Sequence, residues 1–151
     1  MKVITIPILS DNYSYLIIDK SKRSCSAIDP ASPEEIMPYL EKNKLYLKNI
    51  LNTHYHSDHT GGNLELKKKY KCKVFGPEKE KNQIPGIDIV LKENDTVELE
   101  DYKAKIIETP GHTAGHIIYW FDKENIVFTG DTLFVLGCGR LFEGTPEIMW
   151  N

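Results

Sequence analysis

No stretch of this chain approaches the roughly 18 consecutive apolar residues that a membrane-spanning helix needs. Its opening run, Met1-Lys2-Val3-Ile4-Thr5-Ile6-Pro7, goes straight into a strand, without the basic n-region, apolar h-region or small-residue cleavage site of a secretory leader. Cysteine is scarce. Cys25, Cys72 and Cys138 are odd in number and widely spaced, which fits neither a disulfide framework nor a cysteine zinc site. A basic excess is lacking too: the net charge is −3, so nothing draws the chain generally to nucleic acid or anionic lipid. The one basic run, Lys67-Lys68-Lys69-Tyr70-Lys71, follows a helical stretch and reads as a solvated helix end, where cations complement the dipole. Internal repeats, low-complexity segments and interdomain linkers are also missing. What remains is 151 residues, 40% hydrophobic and 27% charged, one domain's worth of ordinary globular chain. The expectation is a reducing, cytoplasmic setting with neither nucleic acid nor membrane as partner.

Histidine is scarce as well, with five in all, yet three fall in Thr53-His54-Tyr55-His56-Ser57-Asp58-His59 with a carboxylate among them. The apolar run Lys48 to Asn52 just ahead reads as a buried strand, and Thr60-Gly61-Gly62 and a helical stretch follow. At a strand end, residues i and i+2 point to one side, so His54 and His56 can converge on one point. Past it the chain turns, and Asp58 and His59 can aim at a second. Imidazoles and a carboxylate are the ligands of zinc and its first-row neighbours. The alternative, a polar loop with surface histidines, accounts poorly for four ligand-type side chains in six positions at such a junction.

Around this motif the chain alternates short strands with two helices. Val3 to Leu9 and Tyr13 to Asp19 form a hairpin about Ser10-Asp11-Asn12, and Ser24 to Asp29 is a third strand after a Lys/Ser turn. Ser32-Pro33-Glu34-Glu35 starts a helix, with Ser32 as N-cap, Pro33 at the first position and Glu35 closing a capping box. Ile36, Met37 and Leu40, with Tyr39, would be its buried face, and the interior Pro38 should kink or shorten it. A second helix is expected over Asn63 to Tyr70. Further strands are expected over Lys73 to Pro77, Ile87 to Leu91, Asp95 to Leu99, Tyr102 to Glu108, His116 to Phe121 and Ile126 to Thr129. The segment Glu78 to Gly86 is expected to be loop. Thr145-Pro146-Glu147 starts another helix, but only about one and a half turns remain before Asn151, too short to hold together alone. The sequence therefore reads as cut off.

Two later turns supply partners for the motif. Thr109-Pro110-Gly111-His112-Thr113 sets a histidine after a strand, and Phe128-Thr129-Gly130-Asp131-Thr132 does the same for a carboxylate. Either residue alone would more often cap a turn or face solvent; beside the first motif, the ligand reading overtakes that one. His112 would complete three nitrogens with His54 and His56, leaving a position for water. Asp58 and His59 would hold a second metal, and Asp131 would bridge. His116 reads better as a buried, hydrogen-bonding histidine. Asp29 either orients a ligand imidazole through its other nitrogen or caps the following turn. In Gly137-Cys138-Gly139-Arg140, the arginine suits a substrate carboxylate, though lone arginines are usually solubilising.

These residues resemble a known family. Thr53 to His59 is similar to the T-H-x-H-x-D-H signature of the metallo-β-lactamase fold, and Thr109 to His112 and Gly130-Asp131 resemble its next two metal motifs in the same order. The run Phe128 to Thr145, with Gly137-Cys138-Gly139-Arg140-Leu141-Phe142-Glu143-Gly144, resembles the glyoxalase II (hydroxyacylglutathione hydrolase) family, and the likeness extends from Ile8-Leu9-Ser10-Asp11-Asn12-Tyr13 onward. The resemblance implies an α/β (α+β) fold, a four-layer αββα sandwich with metals at one edge of two sheets, here with the last part of the fold missing. It implies hydrolysis of S-D-lactoylglutathione and related thioesters by an enzyme that is monomeric when full length. Zinc is the implied cofactor, two ions per complete site, with iron or manganese as alternatives. His54, His56 and His112 would bind the first, Asp58 and His59 the second, and Asp131 would bridge, with Asp58 and Asp131 the catalytic carboxylates. Arg140, Leu141 and Phe142 would contact glutathione. The family's last metal histidine and its small helical domain have no counterpart in residues 1–151. The alternatives are a persulfide dioxygenase, another hydrolase of the fold, or a non-catalytic metal-binding fragment.

Overall fold

A computed structural model of the chain describes residues 1–19 and 23–151, so the Lys/Ser turn expected before the third strand lies, except for Arg23, outside the described residues. The alternation of short β-branched runs builds two sheets. Strands β1 (Lys2–Ile8) and β2 (Asn12–Asp19) pair as an antiparallel hairpin, with Leu9 taking the left-handed conformation (φ 55°) in the turn. Strand β3 (Ser24–Ile28) continues antiparallel, and β4 (Tyr46–Leu51), β5 (Lys73–Pro77) and β6 (Ile89–Leu91) add parallel to it, in the order β1-β2-β3-β4-β5-β6. Every residue of β3 is buried, as expected of a strand covered on both faces. The second sheet is an antiparallel meander, order β10-β9-β8-β7, of β7 (Thr96–Leu99), β8 (Tyr102–Glu108), β9 (Ile117–Phe121) and β10 (Ile126–Phe128).

Two helices, α1 (Pro33–Lys42) and α3 (Asn63–Tyr70), cover the outer face of the six-stranded sheet, and the single turn α2 (Ser57–Thr60) lies between them in sequence. Ile36 and Leu40 of α1 and Leu66 of α3 pack with Ile6, Leu16, Leu47, Ile50 and Val74. A second core lies between the sheets, where Ile17, Ile28, Leu51 and Leu91 meet Val97, Ala104, Ile106, Ile117, Tyr119, Phe121 and Phe128. The period-2 pattern of the meander is clear: Ala104 and Ile106 point inward while Lys103 and Lys105 face solvent. Burying a side chain such as Phe121 stabilises the fold by about 1.5–3 kcal/mol. The Tyr119 hydroxyl donates to the carbonyl of Asn52 (2.8 Å), tying the second sheet to the end of β4.

The chain has the metallo-β-lactamase architecture of mixed sheets with few helices, but among the described residues the layers are α-β-β. This is the αββα sandwich with its last part missing, as expected: Trp120 and Val127 stand exposed on the outer face of the meander, and α4 (Pro146–Trp150) buries none of its residues. Two local expectations need correcting, the capping box at Ser32 and the loop after β5. The Ser32 hydroxyl donates to the carboxylates of Glu34 (2.8 Å) and Glu35 and accepts nothing from the helix backbone, so no capping box forms. Helix α1 runs through Pro38 to Lys42. The segment expected to be loop opens with a 3-10 turn, Glu78–Glu80. At the other end Thr145 does cap α4, accepting from Ile148 N–H at 3.3 Å.

Candidate metal centre

Three strand ends carry the candidate ligands to one edge of the two sheets. Strand β4 stops at Leu51 and delivers His54, His56, Asp58 and His59; β8 stops at Glu108 and delivers His112; β10 stops at Phe128 and delivers Asp131. Gly130 makes the last approach possible. It adopts φ +48°, and a Cβ there would lie 2.5 Å from Thr53 Oγ1 and 2.7 Å from His116 Nε2.

The tautomers follow from what each ring touches. His112 Nδ1 lies 2.6 Å from the Arg140 carbonyl, which can only accept, so Nδ1 carries the proton and Nε2 is bare. Thr53 Oγ1 gives its own proton to Asp29 Oδ2 (2.7 Å) and so accepts from His54 Nδ1 (3.0 Å), leaving His54 Nε2 bare as well. Both bare nitrogens face His56 Nδ1, at 3.0 Å from His54 and 2.9 Å from His112. A single proton on His56 cannot properly satisfy both. A cation can, and the edges of this triangle need to open only slightly to reach the about 3.4 Å set by nitrogen ligands on tetrahedral zinc. The residues present therefore fit a metal.

The second half is assembled around carboxylates. His59 Nε2 lies 3.2 Å from Asp131 Oδ1, while His112 Nε2 lies 3.3 Å from Asp131 Oδ2, so the two oxygens of Asp131 face histidines on opposite sides. Ligand atoms of His54, His56 and His112 can be drawn within 4.8 Å of one another, as can those of His54, His59 and Asp131. Asp58 is not in either group. Its side chain is 52% exposed, with Oδ2 3.6 Å from His59 Nε2 and 3.4 Å from the Asn12 amide, which also donates to the Asp58 carbonyl.

Burial and neighbouring charge sort the ionisation states. Burial, reinforced by the other histidines, holds His54 far below the ordinary imidazole range, and burial with His112 lowers His56. For His59 burial acts in the same sense but loses to the carboxylates of Asp29 and Asp131, which raise it to about 10. Burial would raise Asp131, yet His59, His112 and His116 hold its carboxyl below the usual carboxylate range. His54 and His56 are thus held neutral, and the other half is an imidazolium between carboxylates.

His116 is fully buried and hydrogen-bonded, as the sequence suggested. Its Nε2 accepts from Asp131 N–H (3.1 Å), so its proton sits on Nδ1, which faces Thr109 and Thr132 hydroxyls at 3.0 Å each. Burial pushes it down to about 3. Asp29 stands where the first of the two roles weighed for it would put it, with Oδ2 3.1 Å from His59 Nδ1, while its carboxylate accepts from Thr53 N–H (2.8 Å) and hydroxyl in the histidine motif and not from the turn that follows it. Residues the sequence did not single out complete the surroundings: Asn12 beside Asp58, Thr53 between Asp29 and His54, and the carboxylates Glu80 and Glu143 next to the histidine loops. No local pattern marks them, because each acts across more than 20 residues of sequence or through a common residue type.

The ligand cluster opens on a cleft of about 730 Å³ lined by His56, Asp58, His112, Asp131, Arg140 and Phe142 among others. Phe142 packs edge-on against His56 and His112 (ring centroids 5.5 and 5.4 Å), and the Arg140 guanidinium lies 5.5 Å from its ring. Leu141 is half-buried and is not among the lining residues.

The chain is similar to several known proteins. A hydroxyacylglutathione hydrolase of Pelagibacter ubique (strain HTCC1062) is 51% identical over 151 residues, covering 100% of this chain and 63% of that protein. The chain therefore spans less than two thirds of that relative's length. The B3 metallo-beta-lactamase BLEG-1 is similar in fold, with TM-score 0.90 at 23% identity over 98% of this chain and 81% of that one. ETHE1 from Myxococcus xanthus gives TM-score 0.85 at 29% identity, covering 99% and 67%. Residues 11–149, which carry every candidate ligand, match the metallo-beta-lactamase superfamily, and the chain belongs to that family.

Proposed function

We propose that the natural polypeptide carrying these residues is a hydroxyacylglutathione hydrolase, cleaving S-D-lactoylglutathione and related thioesters to glutathione and a 2-hydroxy acid. The observation that carries this reading is the convergence of three imidazole nitrogens within 3.0 Å steps beside Asp131, at the floor of a cleft that also presents Arg140. The 51% identity to a protein of that name supports it. Two divalent cations, zinc in the first instance with iron or manganese as alternatives, would supply an acidified water as nucleophile and an electrophile for the thioester carbonyl.

His54, His56 and His112 would hold the first ion, Asp58 and His59 the second, and Asp131 would lie between them. Asp58 and Asp131 are the catalytic carboxylates, placed to orient the attacking water. Arg140 pairs with a glutathione carboxylate, and Leu141 and Phe142 pack beside the tripeptide. On this reading the remaining ligand of the second ion and a helical glutathione-binding segment come from outside residues 1–151. The enzyme is a cytoplasmic monomer, a setting that suits the three unpaired thiols. No helix among the described residues is long and apolar enough to cross a membrane.

The test is loss of the thioester of S-D-lactoylglutathione by the zinc-loaded polypeptide. Turnover that disappears in His56→Ala is the expected result; a metal-loaded protein that leaves the thioester intact overturns the proposal. A second reading, iron-dependent dioxygenation of glutathione persulfide, draws on His54, His59 and Asp131 as a two-histidine, one-carboxylate set. Oxygen consumption with that persulfide, and iron as the sole metal, would favour it.

A further inference from the structure

The histidine loops at 54–56 and 112–116 belong to different sheets; of two carboxylates outside the ligand set, Glu143 bonds to both loops and Glu80 to the second. Glu80, at the end of the 3-10 turn after β5, is 2% exposed. Its Oε1 accepts from the Thr113 hydroxyl and from Gly115 N–H (3.0 Å), so it grips the residues directly after His112. The fit is close: a Cβ at Gly115 would lie 2.6 Å from Glu80 Cγ, so only glycine lets the loop sit on the carboxylate. Glu143 spans the same two loops from the solvent side. Its Oε1 accepts from the Tyr55 hydroxyl (2.6 Å) and its Oε2 from Ala114 N–H (2.7 Å).

Burial pushes the Glu80 carboxyl above the usual range, against the pull of Thr113, Gly115 and Tyr55. A buried carboxylate at that position costs stability unless its hydrogen bonds repay it, and every one of those bonds reaches a histidine loop. The backbone ties the loops once as well, Ile117 N–H donating to the Thr53 carbonyl (2.9 Å), and the carboxylates act closer to the ligands. We propose that Glu80 and Glu143 are positioning residues, Glu143 clamping the two histidine loops together from the solvent side and Glu80 anchoring the 112–116 loop from beneath, and that together they set the spacing of the His54–His56–His112 triad for a metal ion. The proposal rests on the reading of that triad as a metal site.

Cobalt(II), which reports its own coordination through its visible absorption, is titrated into the metal-stripped protein and its variants, and the melting of each stripped protein is recorded separately. Glu80→Ala and Glu143→Ala are expected to weaken cobalt binding by about 10–100-fold, the range for partners that orient ligands. Glu80→Gln keeps an oxygen for Thr113 and Gly115 and is expected to stay within a few-fold of wild type. Folded alanine variants that bind as tightly as wild type overturn the proposal, as does a Glu80→Gln variant as weak as Glu80→Ala. If Glu80→Ala does not fold, the exposed Glu143→Ala decides: unchanged affinity overturns, weakened affinity supports. A wild-type protein that takes up no cobalt overturns the underlying metal site itself, a result distinct from the others.

Discussion

In the His54–His56–His112 half of the centre, two of the three rings have their far nitrogens committed, one to Thr53 and one to the Arg140 carbonyl, and both bare nitrogens face the same point. In the Asp58–His59–Asp131 half, His59 lies between carboxylates and Asp58 is half exposed, steadied by little more than the Asn12 amide. One half is preorganised, with lone pairs already aimed, while the other must shed a proton and draw in a half-exposed carboxylate before it can bind. The same kinds of ligand thus make sites of different character, because partners beyond the ligands decide the tautomer, the charge and the freedom of each ring.

Removing ligands should separate the halves most strongly. His112→Ala is expected to abolish tight binding at the first position, a loss exceeding the roughly 100-fold that outer partners can cost. Asp58→Ala should leave one ion per chain, counted by elemental analysis after dialysis. Loss of both ions in Asp58→Ala would mean that the halves are one cooperative site. Thr53→Val tests the preorganised half through its support. It strips a donor from the buried Asp29 and the acceptor from His54, and should cost about 1–3 kcal/mol in denaturant unfolding, with metal binding about tenfold weaker. An unchanged variant would show that His54 needs no such support.

Arg140→Ala reaches only the rim of the cleft. A KM about tenfold higher with kcat unchanged is expected, the weight of one charge-assisted hydrogen bond; a fall in kcat would place the side chain at the chemistry. The smallest effect is a count of protons. At pH 7 the first position should bind zinc with little proton release, since His54 and His56 are held below the ordinary range. The second position should release close to one proton, from His59. Calorimetry in buffers of different ionisation heat reads the difference. The sign carries over to stability: His59 is raised to about 10, so its contribution in the stripped protein is complete below about pH 6.5 and fades as pH climbs through 10.

Much of this was legible in one dimension. The helix over Asn63–Tyr70 and the strands over Lys73–Pro77 and Tyr102–Glu108 fall where period and breakers put them. The ligand candidates announced themselves because histidines two apart at a strand end are a local pattern. Ser32 shows where local reasoning failed. Its sequence neighbours promised a capping box, but the side chains of Glu34 and Glu35 took its hydroxyl instead.

The sequence by itself determined the ligand types, their order and the strand ends that carry them, since these follow from spacing and local propensity. Only the tertiary structure decided which nitrogen of each histidine is bare, that Asp29 faces His59 across 30 residues, that Asp131 turns one oxygen to each side, and that Glu143 bonds to both histidine loops while Glu80 holds one of them. Those are through-space relations, set by how two sheets pack and which buried polar groups must find partners there, and no periodicity along the chain encodes them.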